Sequence, residues 1–389
     1  MFWAVIHIID IALWCFVALS VGYITFYAIA YAVGSFKTRG TNSRMDDRRN
    51  SFLVIFPAYS EDNVILHSIT EFTRQQYPTD KYTIVVVSDH MKTETNQKLS
   101  ALPITLLQPV FDKSSKAKAL QYAIDNIHHT YDYVIILDAD NIVHPDFLCS
   151  LNALCGSGHT AIQCHRRAKN SDSKIAELDG ISEEINNSLF RKGHNNIGLS
   201  SALIGSGMCF DYQWFASHVH RLSTAGEDRE LEKMLLSERI YIKYADDIEV
   251  LDEKVGNEGN FQRQRQRWMS AQIHSLLSLT RDLPTAIMHF NINYIDKTLQ
   301  QMLIPRSMLL VGTFLWSVVM TAVVPVWAAK WWMLFALTVL AMFTAIPRKM
   351  RSHSLVKLIT HLPRLTFKML ANLRHIDSKN REFIHTTHE

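Results

Sequence analysis

The hydrophobic pattern divides the chain into apolar ends and an alternating middle. From Phe2 to Val33 the run is almost uncharged, His7 and Asp10 being the exceptions. A bilayer-spanning helix needs roughly 20 such residues, so this run is long enough. A second apolar block runs from Ser307 to Pro347, with Pro325 and Lys330 near its middle. Two halves of about 20 residues each predict a transmembrane hairpin. Beyond it, Leu355, Leu358, Ile359, Leu362, Leu365, Met369, Leu370 and Leu373 recur at helical spacing, with Lys357, Arg364, Lys368 and Arg374 between them. That pattern predicts a basic amphipathic segment on an anionic membrane face, kinked at Pro363. In the middle, SFLVIFPAY, YTIVVVSD and YVIILDAD read as buried strands ending in polar residues. Helical patterns follow over Glu61 to Gln75, Ser115 to His128 and Pro145 to Leu154. Such alternation predicts an α/β domain with a largely parallel sheet.

The expected organisation is therefore an N-terminal transmembrane helix over 1–36 and an α/β domain over 50–256. A basic interfacial helix region over 257–300, a transmembrane hairpin over 307–347, an amphipathic segment over 355–376 and a tail over 377–389 follow. Charge adds the orientation. Lys37, Arg39, Arg44, Arg48 and Arg49 follow the first apolar run, and Arg348, Lys349 and Arg351 follow the second block. Basic residues stay on the cytosolic side, so both ends place the middle domain in the cytosol, at the inner or plasma membrane. The first run has no basic start and no clear small-residue cleavage site, which favours an anchor over a cleaved signal. A net charge of +3 over 389 residues gives no reason to expect a nucleic-acid partner. The five cysteines include no CxxC pair, which disfavours a zinc site or a disulfide framework.

In open α/β sheets ligands bind at the carboxyl ends of the strands. Those ends carry Tyr59 and Glu61, then Asp89, then Asp138 and Asp140. Paired carboxylates after a buried strand suit a hard divalent cation, Mg²⁺ or Mn²⁺, shared with a diphosphate. Lys116 and Lys118 open a helix whose start already favours anions. For Lys116 by itself the sequence reads as a solvated lysine. Glu227 and Asp228 open an amphipathic helix, either as a general base beside a sugar or as helix-capping acids. In Gln264-Arg265-Gln266-Arg267-Trp268, arginine suits phosphate, and Trp268 could stack on a sugar or sit at the membrane interface. No GxGxxG or GxxxxGK[ST] occurs, which disfavours dinucleotide and P-loop chemistry.

These features, in this order after FPAYSE, resemble the family-2 inverting glycosyltransferases, whose membrane-bound members include cellulose, chitin and hyaluronan synthases. The resemblance covers about Asn50 to Gln272. It implies the nucleotide-diphospho-sugar transferase fold (GT-A), a Rossmann-like α/β domain. It makes Pro57, Ala58, Tyr59 and Glu61 a nucleotide-binding loop and Asp89 a uracil contact. Lys118 would touch the diphosphate. Asp138 and Asp140 match the DxD, with Asp140 the closer metal ligand. Asp228 matches the general base, although Gly226 stands before Glu227 where the family has threonine. Gln264, Arg267 and Trp268 match QxxRW, which holds the donor diphosphate and lines the acceptor path. Gly205-Ser206-Gly207 resembles an acceptor-side turn, with Glu227 and Trp268 also on that side. The tail Phe383-Ile384-His385-Thr386-Thr387-His388 resembles a gating loop, with His388 in place of lysine; a polar tail without fixed structure reads equally well.

The resemblance implies inverting transfer of a sugar from a nucleotide-diphosphate donor, UDP foremost, to a glycan or lipid-linked acceptor at membrane lipid, in cell-surface polysaccharide synthesis. Processive synthesis and addition of a single sugar both remain open. Product extrusion through so few spans would call for a homo-oligomer or a secretion partner. A nucleotidyltransferase on a similar fold is disfavoured, because no glycine-rich loop with a basic residue follows the first strand. A catalytically dead binding protein is disfavoured by the intact motif set.

Overall fold

The computed structural model describes residues 2–37, 48–224, 226–256 and 258–351. The amphipathic segment, the tail, Arg39 and Arg44 lie outside the described residues. In chain order the elements begin with α1 (Phe2–Lys37), β1 (Phe52–Tyr59), α2 (Ile65–Phe72), β2 (Tyr82–Asp89), α3 (Thr93–Ser100), β3 (Thr105–Leu107) and α4 (Lys116–Asn126). They continue with β4 (Tyr133–Ile136), β5 (Ile142–Val143), α5 (Phe147–Cys155), β6 (Ala161–Ala168), α6 (Lys174–Asn186), α7 (His194–Asn196), β7 (Met208–Asp211) and α8 (Tyr212–His218). Last come α9 (Glu227–Ser237), β8 (Ile242–Asp252), α10 (Glu258–Met288), α11 (Ile292–Met302), α12 (Arg306–Val323) and α13 (Pro325–Ala345).

The described chain forms two compact units: residues 2–37, 181–198 and 299–351 make a helical unit, and 48–180 with 199–298 make an α/β unit. Residues 181–198 therefore leave the domain to which the hydrophobic pattern assigns them. The α/β unit holds an eight-stranded sheet in the order β3-β2-β1-β4-β7-β6-β8-β5. β1 pairs in parallel with β2 and β4, and β2 with β3. β7 then runs antiparallel to β4 and β6, and β5 antiparallel to β8. The sheet is thus mixed: β3, β2, β1 and β4 run parallel, β6 pairs in parallel with β8, and β7 and β5 run antiparallel to their neighbours.

Alternate residues of β1 feed two cores. Phe52, Val54, Phe56 and Ala58 pack with α2, α3 and α5, whereas Leu53 and Ile55 pack with α4, α8 and α9. Both faces are covered, which is why these strands read as unbroken apolar runs. The register aligns Tyr59 with Asp89, so the polar ends of β1 and β2 emerge together.

In the helical unit, α1, α12 and α13 are each long and apolar enough to cross a membrane. A π-helical turn, Asn187–Gly193, follows α6 directly. It packs on α1, where the His194 ring stacks on Tyr27 with centroids 3.7 Å apart.

Candidate active site

The sheet assembles the site at the ends of its parallel strands. β4 stops at Ile136, and the chain turns through Asp138, Ala139 and Asp140. Asn141 ties this turn together: its Oδ1 accepts the Asp138 N–H at 3.0 Å, and its Nδ2 donates to Asp140 Oδ1 at 3.1 Å and Asp252 Oδ1 at 3.2 Å. Asp140 is only 4% exposed, and its Oδ2 accepts the Glu253 N–H at 2.8 Å. Burial, then the charges of Asp252 and Asp138, push its carboxyl up to about 8. Asp252, at the end of β8, is balanced by Lys254, whose Nζ lies 2.7 Å from Oδ2.

Lys116 begins α4 behind an N-cap formed by Ser115, whose Oγ accepts the Lys118 N–H at 3.2 Å. The Lys116 ammonium bonds to Asp138 Oδ1 and donates to Gly205 O at 2.6 Å. It also lies 3.5 Å from Glu227 Oε1. Its side chain is 17% exposed, so the solvated-lysine reading of Lys116 is corrected. The reason lies in helix geometry: Lys116 shares a face with the buried Ala119, Leu120 and Ala123, at spacings of three, four and seven. Lys118 points elsewhere, to Lys113 O at 2.6 Å and within 6.0 Å of the Phe111 ring.

Glu227 and Asp228 occupy the first turn of α9. Burial, then Asp228 and Asp138, push the Glu227 carboxyl up to about 7, against the pull of the Lys116 charge. Asp228 Oδ1 accepts the Arg229 N–H at 2.8 Å. Gly205 takes φ +80°, which favours glycine, and a Cβ placed on it would lie at ordinary contact distance from Glu227 Oε1, 3.7 Å, and Asp228 Oδ2, 3.8 Å. At Gly207, φ +63°, a Cβ would meet Val250 Cγ2 at 3.0 Å. Ser206 is fully buried, its hydroxyl donating to Asn141 Oδ1 and accepting the Asp138 N–H at 3.4 Å.

Arg267 on α10 completes the cluster. Burial lowers its guanidinium from the ordinary value, and the charges of Glu227, Asp138 and Asp228 oppose that. Its neighbour Arg265 turns away, pairing with Asp179 and lying over the rings of Phe261 at 4.8 Å and Trp268 at 4.7 Å. One face of Trp268 is therefore covered by Arg265. The Gln264 Oε1 is buried and has no hydrogen-bond partner among the described residues.

A second group forms where β1 and β2 end. Asp89 Oδ1 lies 2.6 Å from His90 Nδ1, and the Tyr59 and His90 rings are 5.3 Å apart. Ser60 and His90 both take left-handed backbone, φ 54° and 56°, and Ser60 N–H donates to Asp89 O at 3.0 Å. Such conformations are uncommon for non-glycine residues and gather at ligand sites. Pro57 and Ala58 lie within β1, Ala58 in the core, while Glu61 follows the turn.

The site thus adds Lys116, Asn141, Asp252 and His90 to the expected residues. Asn141 and His90 each directly follow an expected residue, Asp140 and Asp89, in the sequence.

The sequence profile of the glycosyl transferase family group 2 matches residues 133–345, more than half of the chain. The chain belongs to glycosyl transferase family group 2. The match begins at the first residue of β4 and runs through the paired aspartates, Glu227-Asp228 and Gln264 to Trp268 before ending at the last residue of α13. Among solved structures, the chain is similar to the mannosyltransferase PcManGT from Pyrobaculum calidifontis, in complex with GDP-Man and Mn²⁺. That match has 16% identity and a TM-score of 0.55, covering 88% of this chain and 99% of that one. The TarS fragment 1–349 from S. aureus matches at 15% identity and TM-score 0.44, covering 85% and 91%. Glucosyl-3-phosphoglycerate synthase from Mycobacterium tuberculosis, in complex with Mn²⁺, UDP-Glc and phosphoglyceric acid, matches at 18% identity and TM-score 0.41, covering 59% and 79%. Identities this low speak to the fold, which is the GT-A α/β fold of this glycosyltransferase family. Comparison with curated protein sequences gives no match.

Proposed function

We propose that this family-2 glycosyltransferase moves a sugar from a nucleotide-diphosphate donor, UDP-linked in the first instance, to a glycan or lipid-linked acceptor at the membrane, with inversion. The observation that carries the reading is the charged cluster in which Lys116 joins Asp138 to Glu227, with Asp228 and Arg267 beside them. One side of that cluster suits an anionic leaving group and the other suits a hydroxyl that must lose its proton. The residue roles are an extension of the family pattern. Tyr59, Glu61, Asp89 and His90 receive the nucleoside. Asp228 takes the proton from the acceptor hydroxyl as it attacks the anomeric carbon. Lys116 and Arg267 stabilise the charge growing on the diphosphate, a role that passes from Lys118, which turns to Lys113 O, to Lys116.

A divalent ion fits this donor set. Asp138 and Asp140 offer hard oxygens, and burial, then the charges of Asp252 and Asp138, raise the Asp140 carboxyl when no cation is present. Among the described residues no three His, Cys, Asp or Glu side chains gather as a complete metal cage. That matches an Mg²⁺ or Mn²⁺ bound by one or two carboxylates and completed by substrate phosphates. When bound, the ion neutralises charge on the leaving diphosphate.

A membrane-resident acceptor is favoured by α10 and α11. Leu279, Ala286 and Tyr294 bury one side of these helices against the core. The opposite side exposes Ile273, Leu277, Ile287, Met288 and Ile292, with Phe290 exposed in the turn between the two helices. Soluble helices carry polar residues there, and interfacial ones carry this stripe. The first C-terminal span, α12, starts four residues after Met302. Addition of one sugar is the simpler reading for a chain whose described residues hold three candidate spans.

The test is nucleoside diphosphate release by full-length protein in lipid nanodiscs, across UDP- and GDP-sugars with Mn²⁺ or Mg²⁺. Release from at least one donor, lost in Asp228→Asn, supports the reading. No release from any donor, or full release by Asp228→Asn, overturns it. Product size then separates a single addition from a polymer ladder.

A further inference from the structure

The charges within the apolar helices lie outside the charged cluster described above, and they meet one another. On α1, His7, Asp10 and Trp14 share one stripe at helical spacing; on α13, Trp327, Lys330 and Trp331 do the same. The His7 ring lies against Trp327 with centroids 4.0 Å apart. Asp10, 4% exposed, accepts the Lys330 ammonium on Oδ2 and the Trp331 indole N–H on Oδ1 at 2.9 Å. Trp14 Nε1–H donates to Lys330 O at 3.2 Å. Each group meets a partner about 320 residues away in the chain. In a bilayer a lone charge is costly, so such groups face a protein partner or water.

Toward its other end, α1 is gripped a second time. Tyr27 stacks on His194, whose Nε2 lies 3.1 Å from Tyr23 OH and whose Nδ1 lies 2.8 Å from Leu189 O. The backbones come close: a Cβ on Gly193 would lie 2.9 Å from Tyr27 O. Close approach through small residues is how membrane helices gain packing where lipid offers no hydrophobic drive.

We propose that α1 is the keyed core of the helical unit rather than a passive anchor. A polar lock, Asp10 with Lys330 and Trp331, fixes it to α13. A tight seam at Tyr27, Gly193 and His194 fixes it to the turn Asn187–Gly193. The gripped turn lies in the chain between the paired aspartates and Glu227-Asp228, so α1 holds a segment inside the stretch that carries the chemistry.

The experiment is a charge-swap cycle in the full-length protein in nanodiscs, with thermal unfolding followed by circular dichroism and activity left aside. Asp10→Lys and Lys330→Asp should each lower the midpoint by about 5 °C or more. The double variant should recover at least half of the summed loss. Where a reversed charge blocks insertion, Asp10→Asn, Lys330→Met and their double give the same cycle. Additive losses in that cycle, or no loss from either single change, overturn the lock. Gly193→Ala should lower the midpoint as well, and an unchanged midpoint overturns the seam. Because unfolding is read, failure here is distinct from failure of the sugar-transfer reading.

Discussion

Replacing Lys116 with methionine removes the cation that separates Asp138 from Glu227. The Glu227 oxygen lies 3.5 Å from the ammonium. At an effective dielectric of about 20, that pair alone attracts by about 5 kcal/mol. Desolvation of a largely buried lysine offsets part of this. Breaking one side of a buried pair leaves a net loss on the order of 3 kcal/mol. The loss depends on pH, and the sign follows from Glu227. Its carboxyl is raised to about 7 in the folded protein, above the ordinary value of 4.5. The folded state therefore holds a proton that the unfolded chain has lost, and stability falls as pH rises through that window. Without Lys116 the carboxyl rises further, so the variant keeps losing stability above pH 7, where the parent has levelled. The gap between them should widen by about 1 kcal/mol from pH 6 to pH 8, or about 2–4 °C in the unfolding midpoint. Lys118→Met is the control: Lys118 reaches only Lys113 O and the Phe111 ring, and should cost no more than about 0.5 kcal/mol at either pH. Thermal unfolding in nanodiscs at both pH values reads the difference. Equal midpoints for the two variants, with no dependence on pH, would refute the placement of Lys116.

Further outcomes follow from the same cluster. Asp140 is raised from 3.8 to about 8, so the metal-free protein should lose stability from about pH 4 up to about pH 8. Added Mn²⁺ should reverse this increasingly with pH, because the ion binds the deprotonated carboxylate; a stabilisation independent of pH, read by thermal shift, contradicts that. Gly207→Val forces a side chain into Val250 at a positive φ, and should cost about 2 kcal/mol or more, measured by denaturant unfolding. Lys116→Met should also slow donor turnover by about 10²- to 10³-fold, the usual effect of removing one stabilising group, while Lys118→Met should slow it far less. Turnover with each donor sugar measures this.

Much of the site was readable because burial on both faces makes strands legible. β1, β2 and β4 each carry an unbroken apolar run, and the polar residues at their ends mark where a ligand binds. The other half of the sheet was not. β6 reads AIQCHRRA and β7 only MCFD, and their direction is set by long-range pairing that no local pattern records. Lys116 was misread because two lysines at one helix start look alike until their faces are compared; the spacing to Ala119, Leu120 and Ala123 carried the answer. Asp252 stood more than a hundred residues from Asp140 with nothing to join them but the fold. Residues 181–198 carry Glu183, Glu184, Arg191 and His194, all four of them buried, and no local pattern records that. Lys330 reads as an interruption of a span because its partner, Asp10, lies at the opposite end of the sequence.

The most direct test of sugar transfer uses the full-length protein in nanodiscs with Mn²⁺ and a panel of nucleotide sugars, and measures free nucleoside diphosphate. The account predicts release from at least one donor, lost in Asp228→Asn and strongly reduced in Lys116→Met and Asp140→Ala. Release that is absent for every donor, or undiminished in Asp228→Asn, contradicts it.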